Sequence, residues 1–135
     1  MSHISAISLV VPDYDQAIAH YCGDLGFELI EDTPLTFKEG GPDKRWVLVA
    51  PKGAVETRLL LAKASKPEQL AAIGNQNGGR VFLILDTDDF ARDHKAFVAA
   101  GVQFTEAPRH EPYGTVAVFR DKFGNLWDLL ERRKP

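Results

Sequence analysis

Cysteine is nearly missing from this sequence. Cys22 is the only one in 135 residues, which excludes an internal disulfide and a cysteine-built zinc cage. Long apolar runs are missing too: none approaches the roughly 18–20 residues that cross a bilayer as a helix, so no membrane partner is expected. The opening Met-Ser-His-Ile-Ser lacks a basic stretch followed by an apolar one, so the chain carries no visible signal peptide and reads as cytoplasmic. There is no basic excess, with 16 Lys+Arg against 19 Asp+Glu, a net charge of −3 and a pI near 5.8. A nucleic-acid partner would need a clustered basic surface, and none is expected here. Gly40-Gly41, Gly78-Gly79 and Gly114 lack the spacing of a phosphate loop and read as turns. What is present is 44% hydrophobic and 26% charged residues, enough for one packed domain.

Two units repeat. Residues 4–11 alternate, with Ile7, Leu9 and Val11 on one face and Ala6, Ser8 and Val10 on the other, the pattern of a half-buried strand. Pro12 ends it, and Asp13 with Gln16 opens a helix whose apolar stripe is Tyr14, Ala17, Ile18, Tyr21 and Leu25. Gly26 stops the helix, and 27–30, 45–50 and 58–62 follow as strands. The plan recurs over Arg80–Leu85, a helix capped by Asp88 or Asp89 and carrying Phe90, His94, Phe97 and Val98, a stop at Gly101, and strands at 102–105, 115–120 and 125–130. Asp13 and Asp89, Tyr14 and Phe90, and Tyr21 and Phe97 each stand 76 residues apart. The division is unit one at about 4–63, a linker helix and loop over 64–79 that ends in a flexible Asn75–Gly79 stretch, and unit two at about 80–132. The fold class is α+β: two βαβββ units forming curled mixed sheets around a trough, with helices outside.

This layout, with PDYDQAIAHYCGDLGFEL and FRDKFGNLWDLLE as its most distinctive segments, resembles the vicinal oxygen chelate superfamily of glyoxalases, bleomycin-resistance proteins and extradiol dioxygenases. Metal-dependent members hold a divalent ion in the trough by His or Glu residues from the first and last strands of each unit. The resemblance puts Ala6, Arg58, Phe82 and Asp128 at those positions, and only Asp128 offers an oxygen. Such ions need about three or more protein ligands, and a cation such as Arg58 repels them. No metal and no cofactor is therefore expected.

Among the histidines, His3 precedes the first strand, His20 falls on the polar side of the first helix and His94 reads as a core residue. His110, in the loop before a strand, is the one candidate for the trough. Asp128 and His110 are the candidates for acid–base chemistry. Asp86 and Glu56 are further carboxylates near the ligand positions, whereas Asp13, Asp88 and Asp89 read as caps. Cys22 reads as an inert buried thiol. The expected ligand-binding set is Arg58, Phe82, Asp128, Trp46, Arg109 and Tyr113, with Arg120 as another cation able to hold an anionic group. A pairing of Arg58 with Asp128 would put a fixed guanidinium where the ion had been.

The reading is a small-molecule binding protein that self-associates as a homodimer. The alternatives are an enzyme of the same superfamily, lyase, isomerase or dioxygenase-like, with a shifted metal site or metal-free acid–base chemistry, and a structural or regulatory dimerisation module.

Overall fold

Alternation does make 6–11 a strand, β1 (Ala6–Val11), with Leu9 and Val11 buried. Pro12 supplies no N–H to continue the ladder. Asp13 then caps α1 (Tyr14–Ile18), its carboxylate accepting the Gln16 N–H at 2.9 Å. The computed structural model describes residues 1–35 and 44–134, so the expected Gly40-Gly41 turn lies outside the described residues. The chain divides into two units, Met1–Ile73 and Gly74–Pro135.

In the first unit, α1 runs on as a π-helical turn (Ala19–Asp24) closed by the Leu25 N–H to the His20 carbonyl at 3.1 Å. The five-residue spacing of that bond holds one residue more than an α-turn and rotates later side chains. His20 is consequently buried, only 4% exposed, with Nδ1 2.8 Å from Asp24 Oδ2. This corrects its assignment to the polar side, which assumed α-helical winding throughout. β2 (Phe27–Pro34), β3 (Arg45–Pro51), β4 (Arg58–Lys63) and α2 (Pro67–Ala72) follow. The sheet order is β1-β4-β3-β2, with β1 parallel to β4 and the other pairs antiparallel. Leu9, Val47, Val49 and Leu61 are buried with Ala17 and Tyr21 of the helical segment. Each large apolar side chain so buried contributes about 1.5–3 kcal/mol.

The second unit opens with β5 (Val81–Asp86). Asp89 then caps α3 (Phe90–Ala99) through the Arg92 N–H at 3.0 Å. After it come β6 (Gln103–Phe104), β7 (Arg109–Glu111), β8 (Gly114–Arg120) and β9 (Leu126–Arg132). β7 is an addition to the expected three strands, and it pairs antiparallel with β8 outside the main order β5-β9-β8-β6. Phe97 meets Phe119 edge-on at 5.4 Å, Phe119 stacks on Trp127 at 5.7 Å, and His94 lies 4.3 Å from Phe104, all ring centroid to ring centroid. The β8–β9 turn is fastened by the buried Asp121 carboxylate, which accepts the Phe123 N–H, the Asn125 N–H, the Asn125 amide and the Trp127 indole N–H at 2.9–3.0 Å. The 75–79 segment, expected as a flexible linker, is a hydrogen-bonded turn with the Gly78 N–H on the Asn75 carbonyl at 3.1 Å. Among the described residues no helix is long and apolar enough to cross a membrane.

Candidate functional site

Strand parity sorts each sheet into a helix-covered face and a helix-free face. In the first unit the register Ala6↔Arg58, Ser8↔Leu60 and Leu48↔Leu60 puts Ala6, Ser8, Arg58, Leu60, Leu48 and Trp46 on the helix-free face, as expected for Ala6 and Ser8. Trp46 remains 39% exposed. Arg58 is half-buried, and its Nε is enclosed with no hydrogen-bond partner. A polar N–H taken from water without an acceptor costs free energy, so an orphan of this kind calls for an explanation.

In the second unit, Ile84↔Asp128 and Val118↔Asp128 place Asp128 at the centre of the helix-free face. Leu83 and Leu85 pair with Trp127 and Leu129 on the covered face. Val81 departs from the pattern, because the pairing shifts between Val81 and Leu83 and sets Val81 beside Leu126. Burial among these neighbours raises the Asp128 carboxyl above its usual range. The nearby Arg109 opposes the rise and Glu106 adds to it.

Arg109 is held beside Asp128 by its own carboxylates. Its Nε donates to Glu106 Oε1 at 2.9 Å, and its Nη1 lies 3.6 Å from Glu111 Oε2. Glu106 Oε2 in turn accepts the Val118 N–H at 2.9 Å. The hydrogen bond from Arg109 lowers the Glu106 carboxyl. Glu106 first and the Tyr113 side chain second keep the guanidinium more firmly protonated. The structure thus gathers Asp128, Arg109 and Tyr113 from the sequence-derived set, with Tyr113 53% exposed. Glu106 and Glu111 were missed. The Glu-Ala-Pro-Arg spacing, an acid three residues before a base, was the available signal.

His110 goes elsewhere. It pairs with Thr115, whose partner is Glu131, on the face opposite Val118 and Asp128, and its Nδ1 is 3.3 Å from Thr115 Oγ1. Its place in a strand rather than a loop fixes that direction, so its candidacy for the ligand face is withdrawn. Asp86 shares the Asp128 face but meets Arg132 Nε at 3.1 Å. Glu56 is exposed in the loop before β4. Burial pushes the Cys22 thiol up, away from nucleophilic use. Phe82 lines a separate cavity of about 180 Å³ with Arg80, Arg120 and Leu126. Among the described residues no three His, Cys, Asp or Glu side chains are grouped to hold a metal ion.

The chain is similar to known proteins over nearly its whole length. Residues 2–129 match the family described as Glyoxalase/Bleomycin resistance protein/Dioxygenase superfamily. An uncharacterised protein of Shewanella frigidimarina is 56% identical over 125 residues, covering 93% of this chain and 90% of that one. The crystal structure of UcmS2 is similar with a TM-score of 0.81 and 28% identity, over 97% of this chain and 98% of that one. TnmS3, described as an antibiotic binding protein from Streptomyces sp. CB03234, has a TM-score of 0.76 and 32% identity over 98% of both chains.

Proposed function

The chain belongs to the Glyoxalase/Bleomycin resistance protein/Dioxygenase superfamily, and from that premise we propose that it binds a small organic molecule on the helix-free sheet face of its first unit, without the inherited metal. The observation that carries this reading is Arg58, with an enclosed Nε lacking an acceptor on the face that also presents Trp46. A ligand carbonyl, phenolate or carboxylate supplies the missing acceptor, and the indole supplies apolar contact area. The second unit presents a polar group of its own on its helix-free face, Asp128 and Arg109 with Tyr113 beside the guanidinium. The likeness to TnmS3, an antibiotic binding protein, supports binding. Of the four positions that the resemblance assigns to a metal, Ala6, Arg58 and Phe82 carry no donor for a divalent ion, so the residues do not fit one there.

Native mass spectrometry of the purified protein is expected to show a carried-over organic ligand. Titration with 8-anilinonaphthalene-1-sulfonate is expected to saturate one site per chain. Arg58→Met and Trp46→Ala should each weaken binding about tenfold, the loss of roughly one good contact. Saturation that neither variant alters, or a stoichiometric transition metal, would sink the reading.

A second reading, an enzyme of the same superfamily, is favoured by one observation: the raised Asp128 carboxyl beside Arg109 has the character of a general acid. A turnover rate that follows Asp128 titration and vanishes in Asp128→Asn would establish it over simple binding.

A further inference from the structure

We propose that the second unit carries a pocket for a small organic carboxylate, built where its entry turn meets the β8–β9 turn. These turns lie some fifty residues apart in sequence and press together at Gly74. A Cβ there would stand 2.0 Å from the Phe123 carbonyl oxygen, and Gly74 adopts φ +74°, so only glycine permits the approach. Each wall is independently fixed. Asn77 Nδ2 donates to the Val81 carbonyl at 2.9 Å on one side, and Asp121 gathers the N–H groups of the other turn.

Between the walls is the cavity of about 180 Å³, floored by Phe82 and Leu126 and flanked by Arg80 and Arg120. Arg120 pairs with Leu126 across β8 and β9, and Arg80 directly precedes Val81, the Leu126 partner on β5, so both arginines reach the cavity from strands that flank β9. Arg120 Nη1 donates to the Gly124 carbonyl at 3.1 Å, which orients the guanidinium and leaves its other donors free to turn to a ligand. The Arg80 guanidinium makes no hydrogen bond or ion pair among the described residues. No Asp or Glu lines the cavity. Two guanidinium groups with no internal counter-ion attract an anion and can bind a carboxylate through paired N–H donors. The Phe82 and Leu126 floor selects an anion with a flat apolar body over a small hydrated one, because only the former gains by leaving water. This inference draws on Phe82 and Arg120 of the sequence-derived set and does not require Arg58.

The test is a titration of the full chain with benzoate, benzamide and inorganic phosphate, followed by amide chemical shifts. Benzoate is expected to saturate a site and to shift Gly74, Asn77, Gly124 and Leu126. Benzamide and phosphate should bind at least about tenfold more weakly, since one lacks the charge and the other the apolar body. Arg80→Gln and Arg120→Gln should each weaken benzoate about tenfold while leaving the remaining spectrum unchanged. Benzoate binding that both variants leave intact overturns the proposal, and phosphate binding as tightly as benzoate overturns the organic part of it. Arg58→Met should not alter benzoate binding, so a failure here and a failure of the Arg58 site are told apart.

Discussion

Arg109 Nε donates to Glu106 Oε1 at 2.9 Å, while the second oxygen of that carboxylate accepts the Val118 N–H. Val118 is the register partner of Asp128, so this ion pair is anchored to the strand position beside the raised carboxyl. Glu106 therefore sets where the guanidinium stands and also adds its own negative charge. Glu106→Gln is expected to lower the Asp128 midpoint in a carboxyl-carbon NMR titration, because the repelling charge is gone and the Arg109 charge is left uncompensated. An unchanged or higher midpoint would contradict this account.

Asp128 also makes stability depend on pH. Its folded-state pKa is raised, chiefly by burial, so the native state favours the protonated form. The associated stability is full at low pH and is lost as pH rises through the raised pKa. Asp128→Asn is accordingly expected to stabilise the fold at neutral pH and to be close to neutral below the ordinary carboxylate range. Urea denaturation at the two pH values measures this, and a loss of stability at both would count against it.

Asp121→Ala strikes a different carboxylate. It removes the acceptor of four N–H bonds in the β8–β9 turn, including the buried Trp127 indole. Stranded donors of this kind cost about 1–3 kcal/mol each where water cannot reach them, with partial relaxation expected. A total loss of about 2–4 kcal/mol in chemical denaturation is predicted, and a loss below about 0.5 kcal/mol would show that the turn holds itself.

Glycine substitutions separate close approach from backbone strain. Gly78 has φ +65° with open space around it, whereas Gly74 has φ +74° and faces the Phe123 carbonyl. Gly78→Ala should cost about 1 kcal/mol from conformation alone. Gly74→Ala should cost clearly more, above about 2 kcal/mol, and should abolish benzoate binding. Equal losses would mean that the two turns simply move apart.

We further propose that the protein is a homodimer in solution, with an interface above roughly 1,000 Å² in total. Sedimentation at micromolar concentration is expected to give twice the chain mass of 14.9 kDa. A monomer across the concentration range would reject it.

Much of this architecture was readable along the chain. Alternation in 6–11, the caps Asp13 and Asp89, and the 76-residue spacing between the units are local or periodic signals, and each follows from the geometry of a strand or helix. Asp128 was legible on a strand and Arg109 as a cation in the loop before one, and so was the scarcity of metal donors at the matching positions. The sequence did not reveal that His20 turns inward, because a single π-turn changes the winding without changing the composition. Nor did it reveal β7, which reverses the direction of His110 and presents Arg109 to Asp128. Glu106, Val118 and Asp128 meet only through pairings between distant segments, and so do Arg80 and Arg120 at the cavity they both line. Strand register is set by packing across the whole sheet, and a shift of one residue would send every one of these side chains to the opposite face.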